Sequence, residues 1–248
     1  RKNRKNRKNR KNRKNSRTMD VVAFLLGAGS GLRMGGVAKA FINVLGRPAF
    51  YYSLMSMKST GKVDQAILVL PENLLERGWQ MIEQFGFQDF VQLTAGGETR
   101  VESVAKALKI SPPSRLILIH DVARVCVTPD LITESIILAN NRGSAVPLIP
   151  VVDTLKNVDQ EGKILRTLTR DGLYAAQTPQ TFKRSDLVDA HSKLPVDNFT
   201  DDSSLLESYG VNVSSFIGDV ENLKITFSSD ILIAESILLS RGTSVKNS

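Results

Sequence analysis

From Asp20 onward, short apolar runs rich in β-branched residues alternate with longer segments of helical spacing. Val21–Leu26, Gln65–Leu70, Phe90–Thr94, Leu116–His120 and Ser144–Val151 read as buried strands. Between them, Pro48–Ser59, Glu72–Phe85, Arg100–Ile110 and Pro129–Asn140 read as helices. Thr128-Pro129 is a strong helix start, a hydroxyl to cap the free amides followed by Pro at the first helical position. Strand–helix repetition at this spacing predicts an α/β fold, a mostly parallel sheet flanked by helices. The rhythm stops after Val151. Asp153-Thr154, Asp159, Glu161-Gly162-Lys163 and Asp171-Gly172 mark hairpin turns in a polar β-arm projecting at about residues 152–176. A helix at Thr200–Tyr209, a strand at Val211–Ile217 and a helix at Ser229–Ser240 complete a single domain expected over 19–248.

Charge changes the picture at one end only. The 248-residue chain carries a formal charge of +8, but residues 1–15 are five copies of Arg-Lys-Asn and Arg17 adds another basic residue. Setting those eleven cations aside leaves 22 basic against 25 acidic residues, so the remainder is mildly acidic. Residues 1–18 form a basic repeat tail with almost nothing apolar to bury, and disorder is the expectation there. Such a tail binds nucleic acid or an anionic surface non-specifically, or is simply an extension ahead of Met19. No apolar run approaches the roughly 18 residues of a membrane span. The lone Cys126 makes neither an internal disulfide nor a multi-cysteine metal site, and it suits a reducing compartment. A cytoplasmic protein is expected, bacterial, or of the plastid stroma if a transit segment has been lost.

Candidate chemistry begins where the first strand ends, at Leu26-Gly27-Ala28-Gly29-Ser30-Gly31-Leu32-Arg33-Met34-Gly35-Gly36, with Lys39 just beyond. Ligands of open α/β sheets sit outside the carboxyl ends of the strands, and glycines let backbone amides approach phosphate oxygens. Arg33 and Lys39 add positive charge to that pocket. The loop lacks the Gly-Lys-Ser/Thr of a Walker motif, and the second strand ends Val69-Leu70-Pro71 where a dinucleotide fold wants an acid, though Glu72 is adjacent. These features point to a nucleoside triphosphate gripped without a P-loop.

Further segments follow in order: Gly96-Gly97-Glu98-Thr99-Arg100-Val101-Glu102-Ser103-Val104, His120-Asp121-Val122-Ala123-Arg124, Asp153-Thr154-Leu155-Lys156, Gln177-Thr178-Pro179-Gln180-Thr181-Phe182, Thr200-Asp201-Asp202 and Asn222-Leu223-Lys224-Ile225-Thr226. With the glycine loop, they closely resemble the 2-C-methyl-D-erythritol 4-phosphate cytidylyltransferase family of the non-mevalonate isoprenoid pathway, from about Asp20 to Leu239. The resemblance implies a Rossmann-like domain that converts CTP and 2-C-methyl-D-erythritol 4-phosphate, with Mg²⁺ as cofactor, into the CDP-linked alcohol and pyrophosphate. It implies Arg33 and Lys39 as the catalytic cations. Ala28, Gly29, Ser30 and Gly31 are implied around the triphosphate, and Gly97, Glu98 and Ser103 at the cytosine and ribose. Asp121 is implied at the metal and CTP, with Val122 beside it. Thr154, Arg170, Thr178, Thr200, Glu221 and Lys224 are implied on the methylerythritol phosphate side. The resemblance places the arm residues Thr154 and Arg170 at a neighbouring subunit's site, implying an arm-exchanged homodimer. Four positions depart from the family pattern: Ala38 for the usual Pro, Glu98 for Asp, Val122 for Ala and Val125 for Pro.

Plainer readings stand beside these. Asp121 and Arg124 make a structural ion pair in one of them, His120 and His191 are structural, and Cys126 is buried rather than reactive. Rival functions are a ribitol 5-phosphate cytidylyltransferase, a sugar-1-phosphate nucleotidyltransferase reading another base, and a nucleic-acid binder led by the basic tail.

Overall fold

The structure, a computed structural model, describes residues 19–29, 38–193 and 199–243. The tail and part of the glycine loop, including Ser30, Gly31 and Arg33, lie outside the described residues. The elements run β1 (Met19–Leu26), β2 (Asn43–Val44), β3 (Arg47–Pro48), α1 (Ala49–Ser59), β4 (Gln65–Leu70), α2 (Leu75–Gln84), β5 (Val91–Ala95), α3 (Arg100–Ile110), β6 (Ser114–Asp121), α4 (Pro129–Arg142) and β7 (Ser144–Pro150). There follow β8 (Lys156–Val158), β9 (Ile164–Thr167), β10 (Tyr174–Ala176), β11 (Gln180–Lys183), α5 (Arg184–Lys193), α6 (Asp202–Ser208), β12 (Ser215–Ile217) and α7 (Ser228–Ser240).

The main sheet is the α/β sheet expected. Its order is β5-β4-β1-β6-β11-β7, with β10 and β12 completing it on β7. β1 lies parallel to both β4 and β6, and β4 to β5. β11 runs antiparallel between β6 and β7. β10 and β11 are two halves of one interrupted strand against β7. Ala176 faces Leu148 and Thr181 faces Ala145, so two extra residues bulge out at the Gln177–Pro179 turn, which holds a cis Thr178–Pro179 bond. The chain passes from β1 to β4 and β5 on one side, then returns to place β6 on the other. A crevice opens at the carboxyl ends where that reversal occurs.

Alternation along β1 divides the core into two layers. Val21, Ala23 and Leu25 pack under α1, α2 and α4 with Phe50, Leu54, Met57, Ile82 and Ile132. Val22 and Phe24 face Val104, Leu108, Leu187, Leu205 and Leu206 of α3, α5 and α6. A third cluster joins α7 to the β2–β3 hairpin and the loop after β6 through Ala123, Val125, Cys126, Ile225 and Leu238. Cys126 is buried, as expected. No helix among the described residues is long and apolar enough to cross a membrane.

The structure corrects some boundaries. The helix expected at Glu72–Phe85 opens as a 3-10 turn at Glu72–Leu74 before α2. The strand expected at Val211–Ile217 shortens to β12. The Ser144 hydroxyl accepts from the Ser214 amide at 2.8 Å, and Val211 and Val213 pack on the core outside the ladder. Thr200–Tyr209 contracts to α6, because Asp201 caps it by accepting from the Ser204 amide. The arm is a short β8–β9 hairpin whose return leg, β10, rejoins the sheet on β7.

Candidate active site

The crevice is lined by the end of β1 (Leu26 to Gly29), by Lys39, by the start of α3 (Gly97 to Arg100, with Ser103), by Asp121 to Ala123 after β6, and by Lys224. Close backbone approach builds its walls. A Cβ on Gly27 would meet the Ala40 Cβ at 2.9 Å, so glycine there lets the Lys39–Phe41 turn pack against β1. A Cβ on Gly96 would fall 2.2 Å from the Ala28 Cβ, so the loops after β1 and β5 touch only because that residue has no side chain.

The α3 start is a capping box. Thr99 accepts from the Glu102 amide, while the Glu102 carboxylate accepts from the amides of Glu98 at 2.7 Å and Thr99 at 3.4 Å. Ser103 Oγ accepts from the Gly97 amide and donates to the Thr99 carbonyl, both at 3.0 Å. Glu98 itself is exposed.

Asp121 stands at the carboxyl end of β6 with its side chain 13% exposed. Lys224 Nζ donates to its Oδ2 at 2.6 Å, and Arg100 Nε lies 3.7 Å from its Oδ1. Burial by itself would raise the carboxyl pKa, but Arg100 and Lys224 outweigh it and hold the group well below the usual carboxylate range. Arg100 also pairs with Asp202, which is wholly buried. Lys39 Nζ donates to the Ile225 carbonyl at 2.9 Å, and the Ile225 amide donates to Ala123. The 222–226 segment thus supplies Lys224 to the crevice and holds Lys39 through the Ile225 carbonyl.

Behind Asp121 runs a closed ring of hydrogen bonds. The Arg124 carbonyl only accepts, so the His120 Nε2 contact at 3.3 Å requires that nitrogen to carry the proton. Nδ1 must then accept from Thr178 Oγ1 at 3.0 Å, and Thr178 in turn accepts from the Asp121 amide at 3.0 Å. Arg124 donates to the Asn222 carbonyl and Asn222 donates to the Thr178 carbonyl, each at 2.8 Å. Burial pushes the His120 pKa down to about 4, keeping it neutral and structural as expected.

The residues expected from sequence therefore divide. Ala28, Gly29, Lys39, Gly97, Glu98, Ser103, Asp121, Val122 and Lys224 meet at one crevice. Thr178 lies just behind it with its hydroxyl used internally. The Asp121–Arg124 pair is not the one formed: Arg124 is engaged by Asn222, and Arg100 and Lys224 hold Asp121. Glu221 pairs with Arg241 at 2.5 Å and does not line the crevice. Thr154 is exposed on the arm, where Arg170 donates to the Val152 carbonyl, and Thr200 is exposed ahead of α6. Arg100 and Asp202 received no role from sequence. A basic residue in the first turn of a helix opposes the helix dipole, and that was the available signal that Arg100 has other work.

The family model of 2-C-methyl-D-erythritol 4-phosphate cytidylyltransferase matches residues 21–240. A protein of that name from Dehalococcoides mccartyi is 34% identical over 222 residues, 90% of this chain and 97% of the relative. One from Clostridium tetani is 36% identical over 229 residues, 91% of this chain and 93% of the relative. Among solved structures, 4-diphosphocytidyl-2C-methyl-D-erythritol synthase from Anaerococcus prevotii superimposes with a TM-score of 0.77 at 27% identity, over 89% of this chain and 99% of that one. The Thermus thermophilus cytidylyltransferase gives 0.73 at 29% identity, over 90% and 100%. With the family model spanning residues 21–240 and relatives above 30% identity covering most of both chains, this chain belongs to the 2-C-methyl-D-erythritol 4-phosphate cytidylyltransferase family.

Proposed function

We propose that this chain transfers the cytidylyl group of CTP to 2-C-methyl-D-erythritol 4-phosphate. A phosphate oxygen of the alcohol attacks the α-phosphorus, the new P–O bond forms, and the bond from the α-phosphorus to the bridging oxygen breaks. Pyrophosphate leaves with that electron pair. The observation that carries this reading is the meeting of Lys39, Lys224, Arg100 and Asp121 at the switch-point crevice of a chain in this family.

The reaction brings an anion against an anion, so its demand is charge neutralisation and alignment. The phosphate nucleophile is already ionised at neutral pH, and no general base is needed. Arg33 and Lys39 are assigned to the α-phosphate and leaving group. Ala28, Gly29, Ser30 and Gly31 are assigned to the triphosphate, and Gly97, Glu98 and Ser103 to the base and ribose. Val122, in the wall of the crevice, completes the CTP side. Lys224 is assigned to the incoming phosphate, with Thr200 on that side, Thr178 bracing Asp121 from behind, and Thr154 and Arg170 supplied by a partner's arm.

Asp121 is the proposed anchor for Mg²⁺. Among the described residues no three His, Cys, Asp or Glu side chains cluster to hold a metal by themselves. One carboxylate in the crevice fits an ion that takes its other oxygens from a triphosphate and water. Bound there, Mg²⁺ would neutralise part of the triphosphate charge.

A homodimer with exchanged arms belongs to the same proposal. The arm leaves Val158, Ile164, Leu165 and Tyr174 each at least half exposed, which suits an apolar surface covered by a second subunit. A bacterial cytoplasmic setting follows the bacterial relatives.

The test is pyrophosphate release from CTP and Mg²⁺ with 2-C-methyl-D-erythritol 4-phosphate and ribitol 5-phosphate side by side, and Lys39→Ala as control. Turnover with the first alone, lost in the variant, is the expected result. Turnover with ribitol phosphate moves the substrate, and release with neither overturns the assignment.

A further inference from the structure

Asp121 is held by two cations of different character. Lys224 is a flexible side chain, 44% exposed, that reaches Asp121 across the crevice mouth. Arg100 is 22% exposed and is itself pinned from behind by Asp202, whose side chain has no exposure at all. Asp202 Oδ1 has no hydrogen-bond partner among the described residues, so the charge of this buried carboxylate is met mainly by the Arg100 guanidinium on Oδ2. A carboxylate buried this deeply resists displacement of the guanidinium that faces it, since an unpaired buried charge is very costly.

Its own anchorage is rigid as well. The neighbouring Asp201 caps α6 through the Ser204 amide and accepts from Gln180 of β11 at 2.8 Å, so the first turn of α6 is bolted to the sheet. The planar fork of Arg100 then spans two carboxylates from one backbone position, which an ammonium at the same place does not do.

We propose that Asp202, acting through Arg100, is a positioning residue of the nucleotide crevice: the buried carboxylate fixes the guanidinium, and the guanidinium fixes Asp121. Lys224 is thereby left free to release Asp121 and turn to an incoming anion without Asp121 losing its orientation. Arg100 also leads α3 directly after the Gly97–Thr99 segment, so the pair couples the placement of Asp121 to that wall of the crevice. The proposal rests on the CTP-dependent reading above.

Two variants separate positioning from simple support of the fold. Arg100→Lys keeps the charge and removes the fork. The double variant Arg100→Gln with Asp202→Asn keeps a hydrogen-bonding pair between α3 and α6 while removing both charges. The readouts are CTP binding by calorimetry, KM for CTP against kcat, and thermal melting without ligand. The double variant is expected to melt close to the wild type, yet to bind CTP about tenfold more weakly, with KM for CTP raised by a similar factor. Arg100→Lys is expected to weaken CTP binding in the same direction. CTP affinity within twofold of wild type in both variants overturns the proposal and leaves the pair as a tie between helices. Absence of CTP binding by the wild-type chain overturns the reaction assignment and this proposal together.

Discussion

Thr178→Val tests the hydrogen-bonded ring behind Asp121. Valine has nearly the shape of threonine and fills the same space, so packing is little altered and the perturbation is the loss of one hydroxyl. That hydroxyl accepts from the Asp121 amide and donates to His120 Nδ1, each at 3.0 Å, at a residue only 4% exposed. Its removal strands two neutral polar groups at about 1–2 kcal/mol each, and a loss of about 2–4 kcal/mol is expected. For a protein of this size each kcal/mol lowers Tm by about 2–4 °C, so melting should fall by about 5–15 °C. Urea unfolding with an unchanged m-value is the assay, with Thr178→Ser beside it. Serine keeps both hydrogen bonds and gives up one methyl group, worth about 1 kcal/mol. The measurement is made without substrate, so it separates an internal role of Thr178 from a role in contacting substrate. A loss below about 0.5 kcal/mol in the valine variant, or equal losses in both, would refute the reasoning.

Further outcomes follow from the same geometry. Gly96→Ala places a Cβ 2.2 Å from the Ala28 Cβ, which should cost about 1–3 kcal/mol and weaken CTP binding by calorimetry. His120 titrates near its ordinary value of 6.5 when unfolded and at about 4 when folded, so between those limits the unfolded chain binds more protons and stability is lost as the pH is lowered. Urea unfolding should lose about 2 kcal/mol from this group between pH 7 and pH 5, with His191 adding in the same direction because burial lowers it too. Cys126 is buried and its pKa is pushed up to about 11, so a thiol reagent at pH 8 should react only after unfolding. Fast labelling of the native protein would contradict its placement.

The strands were legible wherever local pattern and tertiary burial agree. The buried runs at Val21 and Leu116 have no other way to satisfy both their side chains and their backbone. The stretch after Pro179 was not legible, because β11 is a strand only by lying between β6 and β7, and the Thr178-Pro179 pair reads locally as a break. Lys39, Asp121 and Lys224 could be named from their motifs, and the crevice unites them. Glu221 and Arg124 could not be placed, because their partners Arg241 and Asn222 lie on other elements at distances along the chain that no local pattern encodes. Arg100 and Asp202 were hidden for a related reason, since a pair 102 residues apart exists only once α3 and α6 share a layer.

The capped start of α3 also bears on which part of a nucleotide the proposed site would take where. A helix N-terminus ordinarily offers unpaired amides to an anion. Here the amides of Gly97, Glu98, Thr99 and Glu102 are already committed to Ser103, Glu102 and Thr99, and a carboxylate is folded over the positive end of the dipole. Those four amides are not available to a ligand. On the proposed reading that wall suits an uncharged, flat group that reads short polar contacts, while Gly27–Gly29 and Lys39 across the crevice suit the negative charge. If the chain binds CTP as proposed, one helix start with its own counter-charge would give the crevice a neutral end and an anionic end, and so the direction in which the nucleotide lies down.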